Sequence, residues 1–427
     1  MKTWNTVLRL SAALFLVLLP LGSCTPAGNR DSSPTPPFSL NLKDAGNSYS
    51  PFITPSRKGS GWKLSASVPI DNSRSVHSTP FGIIIVLNTY HPLDTSSKND
   101  DSQATKILCL DPANGSLRWT RILEPASSEI DWSVTGTAQD LFKRTAQDLF
   151  KRDSSPSKPA PVVTSPNGHH LAIMVKPYLV SGSSSDMSDQ RMHIVVIDTE
   201  TGNATRTVEV SGLVLGQALT NDSLVVETSQ HFYPAGTGTL NVFSLTEAQA
   251  EPTSFRTDRW LAGATSDSLL VSPQNLREYG HLPTTLTRIS TSGEELGTVA
   301  GVTAVSDGSW VFRYQDPEAA TAAIKAGSKD VLPKELFNIE SGAAFDITDL
   351  DVVSAGLSTG PGFLLRRLVP GDNDEQKPFY VPVSWLPATP DSKELRTDDV
   401  AWFSEGDSKK QEGRYIMRTV RMGEKPD

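Results

Sequence analysis

The chain has 427 residues, with 39 Lys and Arg against 48 Asp and Glu and a formal net charge of −9. An acidic balance with no dense Lys/Arg block excludes the electrostatic footprint that nucleic acid or anionic lipid requires. Only two cysteines occur, Cys24 and Cys109, which excludes a disulfide framework.

Lys2 and Arg9 are followed by an apolar run from Leu10 to Leu21. At about a dozen residues this run is too short to span the bilayer and has the length of a signal-peptide core. Leu21-Gly22-Ser23-Cys24 stands where such a signal is cut, and it resembles the lipobox of bacterial lipoproteins. The resemblance implies residues 1–23 as signal peptide and Cys24 as a diacylglyceryl-modified first residue. The chain would then be lipid-anchored on the extracytoplasmic face of the cell membrane. Removing Lys2 and Arg9 with the signal takes the net charge from −9 to about −11. Residues 24–56, with six prolines among Ser, Thr, Asn and Gly, are expected to be a flexible tether with an r.m.s. reach of about 30 Å.

Residues 57–427 read as short strands punctuated by turns. One signature is a turn followed by an apolar strand, as in Ser165-Pro166-Asn167-Gly168-His169-His170-Leu171-Ala172-Ile173, Thr220-Asn221-Asp222-Ser223-Leu224-Val225-Val226, Thr265-Ser266-Asp267-Ser268-Leu269-Leu270-Val271 and Ser306-Asp307-Gly308-Ser309-Trp310-Val311-Phe312. A second is an apolar strand, Asp-x-x-x-Gly and another strand. Its best copy runs from Ile107 through Asp111 and Gly115 to Trp119, the next from Ile194 through Asp198 to Gly202, with degenerate copies at 240–244 and 286–293. The first signature recurs after 45 residues (Asp222 to Asp267) and 40 residues (Asp267 to Asp307), the length of a four-stranded blade. The Asp-x-x-x-Gly-x-x-x-Trp copy resembles pyrroloquinoline-quinone-type propeller repeats, and the Ser-Pro-Asn-Gly copy resembles TolB- and WD-type repeats. These resemblances imply an all-β fold, a single β-propeller with seven blades expected and eight the alternative. The blades fall at 71–123, 160–212, 213–260, 261–301, 302–349 and 350–398, with 399–422 a partial seventh. Gly61–Val68 is an orphan strand pattern, suited to closing the ring by pairing with C-terminal strands.

Two helical insertions interrupt the rhythm. The octet Thr-Ala-Gln-Asp-Leu-Phe-Lys-Arg occurs twice over 137–152 and places Leu141, Phe142, Leu149 and Phe150 on one side of a helix. These four are the candidate partner contacts, the alternatives being a helix lying on its own propeller or a duplication tolerated in a loop. Asp316, Pro317 and Gly327 punctuate a second helix, with Lys329 to Phe337 as a further turn, so that the insertion spans 316–337.

The sequence carries no nucleophile elbow, no phosphate-binding loop and no metal-spaced histidine pair. Catalytic, cofactor-binding and metal residues are therefore each expected to be none, and no cofactor is assigned. Cofactor-bearing quinone propellers carry a vicinal disulfide and a calcium site. Cys109 has no partner for such a disulfide, and Arg206 stands in the next blade where Trp119 stands in the first. Trp119 therefore reads as a blade-packing aromatic and Cys109 as a buried small hydrophobe. The Asp-rich stretches 94–101, 186–189 and 372–374 read as solvated loops. The function expected is a membrane-anchored, non-catalytic binding or scaffold module for a protein or cell-envelope partner, with no nucleic acid. One alternative is an enzyme or small-ligand or glycan binder using the central channel. Another is an accessory sensor lipoprotein of a transporter or kinase system.

Overall fold

The computed structural model describes residues 40–44, 53–55, 61–64, 75–87, 105–112, 114–125, 160–175, 178–179, 188, 190–231, 238–276, 282–306, 309–328, 331–355, 362–369, 379–387, 395, 400–405 and 415–420. Two units divide at Phe38/Ser39, and every described residue belongs to the second. No helix among the described residues is long and apolar enough to cross a membrane.

The fold is an all-β propeller whose sheets follow one another along the chain as antiparallel meanders. Ahead of blade 1 stand β1 (Leu40–Asp44), β2 (Ile53–Pro55) and β3 (Gly61–Leu64). Blade 1 is β4 (Ser75–Thr79), β5 (Gly82–Leu87), β6 (Thr105–Leu110) and β7 (Leu117–Pro125). Blade 2 is β8 (Val162–Thr164), β9 (His170–Met174), with β10 (Tyr178–Leu179) beside β11 (Gln190–Asp198), and then β12 (Ala204–Ser211). Blade 3 is β13 (Leu213–Leu219), β14 (Ser223–Ser229), β15 (Gly238–Ser244) and β16 (Thr253–Thr257). Blade 4 is β17 (Trp260–Ala264), β18 (Leu269–Ser272), β19 (Thr284–Ile289) and the first half of β20 (Glu295–Val305). The second half of β20 opens blade 5, followed by β21 (Trp310–Arg313), β22 (Glu335–Asn338) and β23 (Ala344–Asp346). Blade 6 shows β24 (Leu350–Ala355), β25 (Gly362–Val369) and β26 (Phe379–Pro387). The seventh sheet joins β27 (Val400–Glu405) and β28 (Tyr415–Val420) to β3 and β2.

That last sheet fulfils the expectation for the orphan strand: Gly61, Trp62 and Lys63 pair with Arg418, Met417 and Ile416. The two ends of the chain thus share a blade, which gives seven. The expected tether is shorter at its C-terminal end. β1 pairs antiparallel with β7 as a fifth strand on blade 1, and β2 pairs with β3. In β1, Leu42 packs on the core between blades 1 and 2 while Lys43, the next residue, is exposed.

Stacked blades bury their middle strands on both faces, which is why Ile83 to Val86 form an unbroken apolar run with no exposure. Each side chain so buried contributes roughly 1.5–3 kcal/mol. The clusters lie between blades rather than within them. Among the described residues, the junction of blades 1 and 2 buries eleven apolar side chains and that of blades 2 and 3 buries thirteen. The junction of blades 4 and 5 buries four: Leu270, Leu286, Val302 and Val311.

The second insertion contains helix α1 (Pro317–Lys325). Asp316 caps it by accepting from the Ala319 N–H at 2.9 Å. The further turn expected over 329–337 is corrected: Glu335–Asn338 is β22, paired with Arg313–Trp310 of β21. Pairing with a buried strand there outweighs local helix preference. The octets of 137–152, and with them Leu141, Phe142, Leu149 and Phe150, lie outside the described residues, as do Cys24 and the loops 94–101 and 372–374.

Candidate functional site

An up-and-down meander places its first and third turns at one end of the blade and its second turn and exit at the other. In blades 1 to 5 both repeat signatures therefore lie on the same face. The excursion between β21 and β22 that contains α1 leaves from the opposite face.

On the signature face the inner turns are joined blade to blade. Phe81 of blade 1 meets His169 of blade 2 edge-on, with ring centroids 4.8 Å apart. The Asn167 N–H donates to Asn221 Oδ1 at 3.0 Å, and the Asn221 N–H donates to the Ser266 carbonyl at 2.9 Å. The Ser266 N–H donates to Glu340 Oε1 at 2.9 Å, and Ser309 Oγ donates to Glu340 Oε2 at 2.5 Å. A continuous belt thus runs from blade 1 to blade 5 and holds Asn167, His169, Asp222 and Asp267 exposed in fixed positions. Desolvation opposes ionisation of the Asp267 carboxyl. Hydrogen bonds from Arg288, Ser268 and Thr265 and the Arg288 charge at 2.9 Å outweigh it and hold the pKa below the usual carboxylate value.

A second system ties each outer strand to the outer turn of the next blade. Trp119 lies against Gly202, where a Cβ would come within 2.7 Å of the ring, and its Nε1 donates to the Thr199 carbonyl at 3.1 Å. Arg121, two residues on, donates to the Gly202 and Thr201 carbonyls at 2.9 and 2.7 Å. In blade 2 the same position belongs to Arg206, 8% exposed. It donates to the carbonyls of Ser244, Glu247 and Ala250 in the outer turn of blade 3. Phe255 of blade 3 covers Gly293 of blade 4, where a Cβ would sit 3.1 Å from its ring. A register shift precedes Trp119, Arg206 and the corresponding residue of blade 4, which is Gly297. Blade 4 therefore presents the bulge without the side chain.

Trp119 is the packing aromatic expected, and the replacement at Arg206 keeps the docking role by other chemistry. Cys109 is fully buried, and desolvation pushes its thiol up to about 12, so it is a core side chain and not a nucleophile. Phe255, Gly297 and Glu340 carried no signal in the sequence reading. The turn Asn338-Ile339-Glu340-Ser341-Gly342 is a further copy of Asp-x-x-x-Gly in which Asn replaces Asp. Gly342 donates to the Asn338 carbonyl at 2.9 Å as Gly202 does to Asp198 at 2.8 Å. Accepting Asn at the first position would have revealed it. No group of three or more His, Cys, Asp or Glu suited to a metal is present among the described residues.

No family model and no curated protein sequence matches this chain. Solved structures similar to it include BamB from Moraxella catarrhalis, at 10% identity over 86% of this chain and 99% of that one, with a TM-score of 0.32. The β-propeller domain of the Trilobed protease from Pyrococcus furiosus is 13% identical over 83% and 100%, with a TM-score of 0.39. TolB from Acinetobacter baumannii is 11% identical over 91% and 98%, with a TM-score of 0.27. The seven-bladed architecture rests on the strand pairing of this chain.

Proposed function

We propose that this protein is a lipid-anchored extracytoplasmic propeller that binds a protein or cell-envelope partner through its signature face without catalysing a reaction on it. The observation that carries the reading is the belt of inter-blade contacts, the Phe81–His169 ring contact and the hydrogen bonds from Asn167 to Glu340, whose turns present Asn167, His169, Asp222 and Asp267 before any partner arrives. Such preorganisation lowers the ordering cost of association. The location rests on the lipobox-like Leu21–Cys24 and the apolar run before it. Photo-crosslinkers placed in cells at Asn167 and at Asp222 should give the same discrete adduct, while one at Leu332 in the opposite-face excursion should not. Absence of a shared adduct would overturn the binding reading. Incorporation of a labelled fatty acid that persists in Cys24→Ser would overturn the anchor.

A second reading, a small polar ligand in the channel, is favoured by the innermost strands. Ser75 Oγ, His77 Nε2 and Gln217 Oε1 are buried there and find no hydrogen-bond partner among the described residues. A saturable thermal shift with a polar ligand, lost in Gln217→Leu, would support it.

A further inference from the structure

We infer that the junction between blades 4 and 5 holds an open docking slot for an extended peptide segment of a protein partner, one carrying an aromatic residue and an arginine two positions apart. The inference rests on the protein-binding reading above and names the feature a partner would present.

The slot is defined by what fills its equivalents. Gly202 is covered by Trp119 and Gly293 by Phe255. Gly342 occupies the same turn position in blade 5, with φ +71° against +70° at Gly202. Among the described residues a Cβ at Gly342 would meet nothing within 4 Å, and neither would one at Gly297, the residue that should cover it. Gly202 is buried and Gly342 exposed. The turn is therefore built to receive a planar side chain, and the preceding blade supplies none.

The chemistry of the missing occupant can be read from blade 1. Trp119 and Arg121 lie on one face of a strand, as i and i+2 residues do. Together they satisfy three carbonyls of the blade 2 turn. At blade 4 the two positions are Gly297 and Val299, so both donors are absent. Glu294 is exposed beside Gly297, and Glu295 next to it already draws the Arg259 guanidinium to 3.6 Å, so this rim favours an arginine. The outer edges of this propeller accept added strands, since β1 already pairs along β7 of blade 1. An extended segment laid along the outer strand of blade 4 would follow that precedent.

The probe is an acetylated heptapeptide of this chain's own residues 116–122, Ser-Leu-Arg-Trp-Thr-Arg-Ile, titrated into the full-length protein. Amide shifts are read at Gly342, with Gly202 and Gly293 as internal controls because their slots are occupied. Expected is a saturable shift at Gly342 and none at the controls. Replacing the peptide's Trp by Ala, or its second Arg by Ala, should weaken binding by about tenfold or more. Gly297→Trp should fill the slot and abolish the shift, and the peptide variants decide the matter even where that substitution fails to fold. No shift at Gly342 at millimolar peptide, or a shift indifferent to loss of the Trp, would overturn the slot. The crosslinks from Asn167 and Asp222 would be unaffected by that failure, so the broader binding reading stands or falls separately.

Discussion

The junction of blades 1 and 2 and that of blades 4 and 5 begin from the same outer-strand bulge and the same outer turn, yet they hold together differently. In the first, Trp119 and Arg121 reach across to the turn, and eleven apolar side chains are buried between the blades. In the second, Gly297 reaches nothing and four apolar side chains are buried. Two other ties take over. β20 runs without a break from the outside of blade 4 to the inside of blade 5, and Glu340, braced by Ser309 of its own blade, reaches back to Ser266 of blade 4. A propeller junction thus needs a link but no particular link. Where the link moves inward to the belt, the outer rim is left open to another molecule.

The comparison predicts uneven stability, and the largest effect should come from Trp119→Ala. That substitution removes a half-buried ring, uncovers Gly202 and leaves the Thr199 carbonyl without its donor. A loss of about 3 kcal/mol in urea unfolding is expected. A loss below about 1 kcal/mol would mean the docking side chains are incidental to the fold.

Acid should attack the first junction before the second. Burial lowers the His77 pKa to about 4, and burial likewise lowers those of His170 and His193, partly offset by Asp198 and by Glu209 respectively. All three lie in blades 1 and 2. A histidine with a depressed folded pKa takes up its proton first in the unfolded chain. Its stabilisation is therefore complete above pH 6.5 and falls as the pH drops towards the folded value. For His77 the loss is roughly 1.4 kcal/mol per pH unit within that window. Hydrogen exchange at pH 5 should quicken at Leu171 and Val195 while Leu270 and Val311 hold. Uniform loss of protection, or loss first at blades 4 and 5, would break the comparison.

Gly202→Ala and Gly342→Ala isolate the occupied and open turns. Both force a side chain into the left-handed region at about 1–2 kcal/mol. Only the first also drives a methyl into the Trp119 ring, which adds about 1–2 kcal/mol. The difference between the two variants in thermal or urea unfolding measures the ring alone, and equal losses would show that Trp119 yields freely.

How much of this was legible beforehand differs by element. The blade rhythm could be read because middle strands are apolar on both faces and the turns between them require Asn, Asp or Gly. Ring closure through Gly61–Leu64 could be read because an apolar strand pattern stood without neighbours. The first of these signals failed at Asn338, where one atom type was exchanged, and the expectation of a helical turn failed at Glu335–Phe337, where pairing with β21 decided against it. The docking positions were half visible: Trp119 is conspicuous, whereas Arg206 does the same work with guanidinium hydrogen bonds and Gly297 with nothing. Their equivalence shows only in the register shift that precedes each, which depends on which residue opposes which across two strands.

The smallest effect tests what substitutes for the missing ring. Glu340→Gln preserves the size of the side chain and removes its charge. One of the two oxygens that accept from Ser266 and Ser309 becomes a donor, and a belt hydrogen bond is lost. A charged acceptor in a part-buried site contributes about 1–1.5 kcal/mol more than its neutral counterpart. Opening at the junction of blades 4 and 5 should therefore become roughly tenfold more frequent by the same arithmetic. The place to read it is the Ser266 amide, whose N–H donates to Glu340, and its exchange should quicken while that of Thr199 in blade 2 does not. Unaltered protection at Ser266 would assign the cohesion of that junction to the unbroken strand β20 alone, and the open rim would then owe nothing to the belt.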